Sequence, residues 1–294
     1  MNVNCTYEPY SQQAEYLEAN RELLQTLPLE SVSQVLDLAC GTGIMSSLLF
    51  ELKPQVSIIG VDISVESLSI GRKKFAEQGI LAENIAAFKQ AEAKGKGTIL
   101  ILEGNAENLP FEPESFDLVM MGGAIHLLRD KANLLKSVKK VLRTPGFFTF
   151  NTAYYIGTYT EGTESFYSEW LKEALVVMEE KNNARRAAGE KPFLRKRGTV
   201  SRAFDKGWMS PEQWQELLNQ NGMKTIRSEQ RTVIMPQSGF ESLVGYGELA
   251  KVLMSGYPVD VAGDCLQVAA RRTFEKRGLT ELPRRWYENT SVSQ

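Results

Sequence analysis

Histidine is nearly missing from this chain: His126 is the single one in 294 residues. Zinc centres built on paired imidazoles and Ser-His-Asp hydrolysis are thinly supplied, and any histidine role falls on that residue. Cysteine is also sparse. Cys5, Cys40 and Cys265 are odd in number and stand at no metal-like spacing, which suits free thiols in a reducing cytoplasm and implies no metal site. No apolar run approaches the ~20 residues that cross a bilayer, so no membrane span is expected. The opening stretch MNVNCTYEPYSQQ has neither a basic region nor an apolar one, so no secretory signal is expected and the location read from it is cytoplasmic. A net charge of −2 excludes a general nucleic-acid binder, which needs a basic surface to displace counterions. What is present, 43% apolar and 24% charged residues, can bury a sizeable core as one large domain or as a domain carrying an insertion.

The first half alternates short β-rich runs with helical patterns. Apolar runs suited to buried parallel strands lie at 34–39, 56–62, 98–104, 116–122 and 146–153, with helix-like segments at 43–52, 65–77, 82–94 and 131–142 between them. That alternation predicts an α/β fold, a doubly wound sheet with helices on both faces. RTPG at 143–146 reads as the turn that stops a helix before the fifth strand. Further on, 210–222 predicts a helix with Ser210 as N-cap, Pro211 at its first position and Gly222 as C-cap. Strands are expected at 223–235 and 285–293, with a helical stretch at 237–283 between them. The organisation expected is an N-terminal helical segment (1–30) covering a ligand site, a core (31–153), a cap (154–210), and a C-terminal part of the core (211–294) interrupted by 237–283.

DLACGTGIMS (37–46) follows the first of these strands. In an open parallel sheet, ligands bind at the carboxyl ends of strands where the strand order reverses. Gly41 and Gly43 would let a ligand come within contact of the backbone, and the helix starting near Thr42 to Ile44 would present free N–H groups to it. A lone G-x-G is a weak signal, since tight turns also use glycine. Asp62 ends the second strand, 19 positions after Gly43, where an acid can take both ribose hydroxyls. GNAENLPF (104–111) follows the third strand and sets an amide and a turn beside a purine edge. Asp37 separates two cofactor classes: a carboxylate there would repel a pyrophosphate, and it suits a ligand bearing an ammonium group. A ligand with adenine, ribose, an amino-acid tail and no phosphate is S-adenosylmethionine.

The stretches VLDLACGTG (35–43), GVDIS (60–64), GNAENLPFEPESFDLV (104–119), GAIHLL (123–128) and LLKSVKKVLRTPGFFTF (134–150) occur in this order. In them the chain resembles the class I S-adenosylmethionine-dependent methyltransferases, in particular the small-molecule branch with the ubiquinone and menaquinone methyltransferases. The resemblance covers residues 30–153. It implies a Rossmann-like, mostly parallel seven-stranded sheet with an inserted helical cap, ending in an antiparallel hairpin. It also implies an enzyme that methylates a small organic molecule, with oxygen or carbon favoured as acceptor, and yields S-adenosylhomocysteine. Carried over by position, Asp37, Ala39, Gly41 and Gly43 would line the methionine part of the cofactor. Asp62 would bind the ribose, Ile63 would pack on adenine, Asn105 and Ala106 would meet its edge, and Met121 would offer its carbonyl to the amino group. The family carries Asp where this chain has Asn105; an amide oxygen still accepts from the adenine amine.

His126 would stand where the transferred methyl lies, as a general base or as a partner orienting the acceptor; the bland reading is a histidine packed behind the strand. Tyr154, Tyr155 and Tyr159 would line an aromatic acceptor pocket, or belong with Phe166, Tyr167 and Trp170 to the cap's own core. Tyr16, near Tyr7 and Tyr10, would shut the cofactor site from the other side or pack on the sheet's outer helices. Arg185, Arg186, Lys191, Arg195, Lys196 and Arg197 read as a solvated face, or as a site for an anionic substrate group or an acidic carrier protein. Cys40 reads as packing. Two other functions stay open on the residues: a non-catalytic protein that binds the cofactor as sensor or scaffold, and a nicotinamide-dependent oxidoreductase, which Asp37 disfavours. The acceptor and the oligomeric state have no signature in the sequence.

Overall fold

The computed structural model describes residues 6–196 and 207–294, so Cys5 and Arg197 lie outside the described residues. In chain order the first elements are α1 (Glu8–Ser11), α2 (Ala14–Gln25), β1 (Gln34–Leu38), α3 (Ile44–Leu52), β2 (Ser57–Asp62), α4 (Val65–Glu77), α5 (Ile85–Ala93) and β3 (Thr98–Glu103). Then come β4 (Phe116–Gly122), α6 (Lys131–Val141), β5 (Leu142–Thr152), α7 (Glu164–Ala187) and α8 (Pro211–Gln220). The last are β6 (Met223–Pro236), α9 (Gln237–Val244), α10 (Gly247–Leu253), α11 (Val259–Arg277) and β7 (Glu281–Ser293). Contacts group the chain into two units. The larger is Tyr16–Thr158, Trp208–Arg231 and Trp286–Gln294; the smaller is Met1–Glu15, Tyr159–Gly207 and Thr232–Arg285. One division falls between Glu15 and Tyr16, inside the N-terminal segment, and another between Thr158 and Tyr159.

The sheet has seven strands in the order β3-β2-β1-β4-β5-β7-β6, as the doubly wound expectation requires. β1 runs parallel to β2 (Leu36↔Ile59) and to β4 (Leu36↔Val119), β2 to β3 (Ile59↔Leu100), and β4 to β5 (Met121↔Phe150). β7 runs antiparallel to β5 (Asn151↔Glu288). The parallel strands are continuous apolar runs because both of their faces are covered. Val35, Leu36, Leu38, Ile58, Ile59, Val119 and Met120 are all buried. α6 shows the complementary pattern: Leu134, Leu135, Val138 and Val141 recur on one face and are buried, and the Asp130 side chain caps the helix by accepting from the Asn133 N–H at 2.9 Å. α8 begins as expected, with Ser210 and Gln213 forming a capping box and Pro211 at the first position, while Asn221 rather than Gly222 is its C-cap. RTPG is a correction. α6 passes directly into β5 at Leu142, and the pairing of β5 with β4 jumps from Phe116↔Leu142 to Leu118↔Phe147, so these residues form a bulge within the strand instead of a connection before it.

In the smaller unit α7 packs on α11. Phe166 and Trp170, one turn apart on α7, meet Phe240 of α9 at ring separations of 5.4 and 5.0 Å, and the Trp170 indole donates to the Leu266 carbonyl at 2.9 Å. These rings form that unit's own core.

The larger unit also buries a charge. Glu288 of β7 is fully enclosed and faces Arg227 (3.0 Å) and Arg231 (2.6 Å) of neighbouring β6, while Arg231 also pairs with Glu22 of α2. Two residues four apart on a strand share a face, so both guanidinium groups can meet one carboxylate. Removing the acid leaves two half-buried cations together. Glu288→Ala should therefore lower the unfolding free energy by about 3–5 kcal/mol, and Glu288→Gln by less, in urea titrations; a Glu288→Ala midpoint equal to that of the parent would show that the arginines find other partners.

Candidate functional site

β1 pairs with β4 only as far as Asp37↔Met120, while its ladder with β2 continues to Leu38↔Val61. From β1 the chain winds to one side through β2 and β3, and from β4 to the other through β5, so the order reverses between them. Past Asp37 the carboxyl ends of β1 and β4 have no ladder bonds to each other, which is where a sheet of this kind takes its ligand.

After β1 the backbone turns through Ala39 (φ 53°), Gly41 (φ 55°) and Gly43 (φ 78°). Gly41 has open space where a side chain would stand, so its backbone can be approached closely. Gly43, the N-cap of α3, is fixed for another reason: a side chain there would come within 2.5 Å of the Phe75 ring on α4. The Cys40 N–H donates to the Val61 carbonyl at 3.1 Å, and its thiol lies against Gly60. Burial, together with the charges of Asp37 and Asp62, pushes this thiol up, away from any nucleophilic use.

Asp37 is completely buried. One carboxyl oxygen, Oδ2, accepts from the Ser46 hydroxyl at 2.6 Å; the other, Oδ1, has no hydrogen-bond partner among the described residues. Burial is the main reason its carboxyl is pushed up to about 7, against the Ser46 bond and with the Asp62 charge adding. A buried oxygen without a donor is costly, and a cationic ligand group would satisfy it. Asp62 is already engaged: Oδ2 accepts from the Gly41 N–H and Oδ1 from the Ser64 N–H, both at 2.8 Å. These bonds lock the carboxylate between two loops and leave each oxygen a second acceptor position. Beside it Ile63 is 74% and Val65 58% exposed, an apolar surface on which a flat ring could lie. Asn105 is exposed, with its Oδ1 accepting from the Glu107 N–H at 2.9 Å in an Asx turn; Ala106 behind it is buried.

The turn after β4 is held from two sides. The Gly123 N–H donates to Asn151 Oδ1, Asn151 Nδ2 to Asn20 Oδ1, and Asn20 Nδ2 to the Tyr16 carbonyl, each at 2.8 Å, with both asparagines fully buried. Tyr16 packs edge-on against Trp286 at 5.5 Å, and burial, with the Asp37 charge adding, pushes its phenol up. Met121 is buried in β4 just before this turn. His126 sits in the short helical turn Ile125–Leu127; its Nδ1 is 3.0 Å from the Thr152 hydroxyl and its ring lies 4.3 Å from that of Tyr154.

The structure thus sets Asp37, Ala39, Gly41, Gly43, Asp62 and Ile63 at the carboxyl ends of β1 and β2 and on the loops that follow them, and gathers Tyr16, His126 and Tyr154 about the end of β4. Tyr155 is elsewhere: it is fully buried in the core, donates its hydroxyl to Gln230 at 3.0 Å and packs on Tyr287, so it offers no surface to a ligand. Tyr159 lies in the smaller unit against Tyr167 at 4.8 Å. The basic stretch is largely engaged within its own unit, with Arg185 paired to Glu190, Arg186 to Glu179, and Arg195 donating to the Ser255 carbonyl. Asn20, Asn151 and Thr152 were not marked by any motif; the signal for the last two was a polar pair closing an apolar strand.

A profile of the family described as "Methyltransferase domain" matches residues 29–222. The chain is 32% identical over 127 residues to a demethylmenaquinone methyltransferase of Lactiplantibacillus plantarum, across 43% of this chain and 47% of that one. It is likewise 32% identical over 127 residues to a ubiquinone/menaquinone biosynthesis C-methyltransferase of Xylella fastidiosa, across 43% and 44%. The chain therefore spans about half the length of the curated relatives it matches. Among solved structures, the YcgJ protein of Bacillus subtilis superposes with a TM-score of 0.52 at 17% identity, covering 94% of this chain and 99% of that one. A geranyl diphosphate methyltransferase in complex with GPP and sinefungin does so with a TM-score of 0.50 at 12% identity, covering 94% and 76%. At these identities the structures share the fold.

The raised Asp37 carboxyl has a consequence for stability. A carboxyl raised in the folded state binds its proton more tightly there than in the unfolded chain, so its contribution to stability is lost as pH rises from 3.8 towards about 7. Asp37→Asn removes that dependence. In urea titrations at pH 5 and pH 8, the wild type should lose more stability between the two than the variant; equal losses would mean that Asp37 ionises normally.

Proposed function

This chain belongs to the methyltransferase domain family, and we propose that it transfers a methyl group from S-adenosylmethionine to a small organic molecule at oxygen or carbon. The observation that carries the reading is the buried Asp37 Oδ1, which has no donor among the described residues, at the switch point of the sheet and beside a glycine loop with open space. An ammonium group fits that oxygen; a phosphate does not.

When bound, S-adenosylmethionine supplies a methyl group on a positively charged sulfur, open to displacement by a nucleophile. Asp37 takes the ammonium end, with Ala39, Gly41 and Gly43 lining the backbone cradle and the Met121 carbonyl as a second acceptor. Asp62, held by two backbone N–H groups, presents its remaining acceptor positions to the ribose hydroxyls. The exposed Ile63 side chain covers the adenine face, and Asn105 and Ala106 border its edge. His126 and Tyr154 orient the acceptor, and Tyr16 closes the other side. Positioning and exclusion of water are the protein's main contribution to such a displacement. A carbon acceptor gains support from a relative named as a C-methyltransferase, and the cofactor from a structural neighbour solved with sinefungin, an S-adenosylmethionine analogue. The internal pairing of the basic stretch gives no support to a carrier-protein partner.

Calorimetric titration with S-adenosylmethionine and S-adenosylhomocysteine tests this reading. Both should bind the wild type. Asp62→Ala should weaken them by about 1.5–3 kcal/mol, the worth of a charge-assisted hydrogen bond. Absence of binding to the wild type would remove the function, and unchanged affinity in Asp62→Ala would remove that residue from the site.

A further inference from the structure

We propose that Thr152 is a positioning residue that holds His126 as its Nε2–H tautomer, so that the imidazole meets the methyl acceptor as a hydrogen-bond donor to an oxygen and not as a general base. The Thr152 hydroxyl has two partners among the described residues, the Tyr154 N–H at 3.0 Å and His126 Nδ1 at 3.0 Å. A backbone N–H can only donate, so Thr152 Oγ1 accepts from Tyr154. The hydroxyl has one proton of its own, and Thr152 is 1% exposed, so bulk water does not reach it. Among the described residues His126 Nδ1 is the acceptor within reach of that proton. If Nδ1 carried a hydrogen instead, the Thr152 oxygen would accept twice and its own proton would be buried without a partner, which native interiors avoid. Nδ1 is therefore the bare nitrogen, and the ring proton stands on Nε2.

The surroundings keep the ring in this setting. Thr152 follows Asn151 at the end of β5, and Asn151 Oδ1 holds the Gly123 N–H at 2.8 Å. Two adjacent side chains of one strand thus fix both ends of the segment from Gly123 to His126. Tyr154 contributes twice, through the N–H that orients the Thr152 hydroxyl and through its own ring, 4.3 Å from the imidazole and tilted by 35°. The direction of the bond has a chemical meaning, which rests on the methyl-transfer reading above. An Nε2–H cannot remove a proton from the acceptor. It can stabilise an oxygen that already carries negative charge, so the acceptor class it fits is one whose ionised oxygen is the nucleophile or feeds electrons to a neighbouring carbon, such as a phenolate or an enolate.

Because the chain has one histidine, the test is free of overlap. Long-range proton–nitrogen correlation on the nitrogen-15-labelled full chain without an added histidine tag, at pH 8.5, reports both ring nitrogens of His126. The expected spectrum has a pyridine-type Nδ1 and a pyrrole-type Nε2. Thr152→Ser should retain it, and Thr152→Val should move both nitrogens towards the averaged shifts of exchanging tautomers. A pyrrole-type Nδ1 in the wild type, or an unaltered spectrum in a folded Thr152→Val protein, would overturn the assignment. The serine variant keeps the test valid if the valine variant does not fold. S-adenosylmethionine binding, measured separately by calorimetry, should persist in Thr152→Ser; its absence from the wild type would remove the methyl-transfer reading while leaving the tautomer result to be judged on the spectrum alone.

Discussion

The site is built around a carboxylate that the fold encloses without fully satisfying it. Asp37 stands at the last rung shared by β1 and β4, with Ser46 of the following helix on one oxygen and nothing among the described residues on the other. An apolar residue there would be easier to bury. The arrangement makes sense when the missing partner comes from outside the chain. Burial pushes the same carboxyl up to about 7, and a cation placed beside it favours its ionised form.

Around that group the structure spends its polar side chains on holding backbone still. Asp62 ties the Gly41 loop to the start of α4, and the Asn20–Asn151 pair ties the turn after β4 to α2. Thr152 does the same for His126. α2 is anchored once more through Glu22, by way of Arg231, to the enclosed Glu288. The contacts of Asp62, of the Asn20–Asn151 pair and of Thr152 fix loops at the carboxyl ends of strands, where flexibility would blur the geometry that a displacement reaction requires.

Much of this was legible in the sequence. The five parallel strands and the helices between them announce themselves by apolar period, and the Asp37, Gly41, Gly43 and Asp62 pattern marks the two loops because its spacing reflects the length of one strand–helix–strand unit. Other features were not legible, for physical reasons. RTPG carries the chemistry of a turn, yet the strand absorbs it as a bulge because pairing resumes on its far side at Phe147. Tyr155 and Tyr154 are adjacent and chemically alike, but neighbouring residues project differently: one is enclosed by Tyr287 and Gln230, and the other lies against His126. Asn20, Asn151 and Thr152 each act through two hydrogen bonds, one of them between residues 131 positions apart, and no local pattern records such a pairing. Nor does composition foretell that the division of the chain falls between Glu15 and Tyr16, within one helix.

The most direct measurement is the proton balance of S-adenosylmethionine binding, obtained by calorimetry at pH 6 in two buffers of different ionisation enthalpy. With the Asp37 carboxyl near 7 in the empty protein and ionised against an ammonium group, binding should release protons, and Asp37→Asn should abolish the release. Binding to the wild type with no proton released, or with the same release in the variant, would contradict the account that this buried carboxyl is what the cofactor completes.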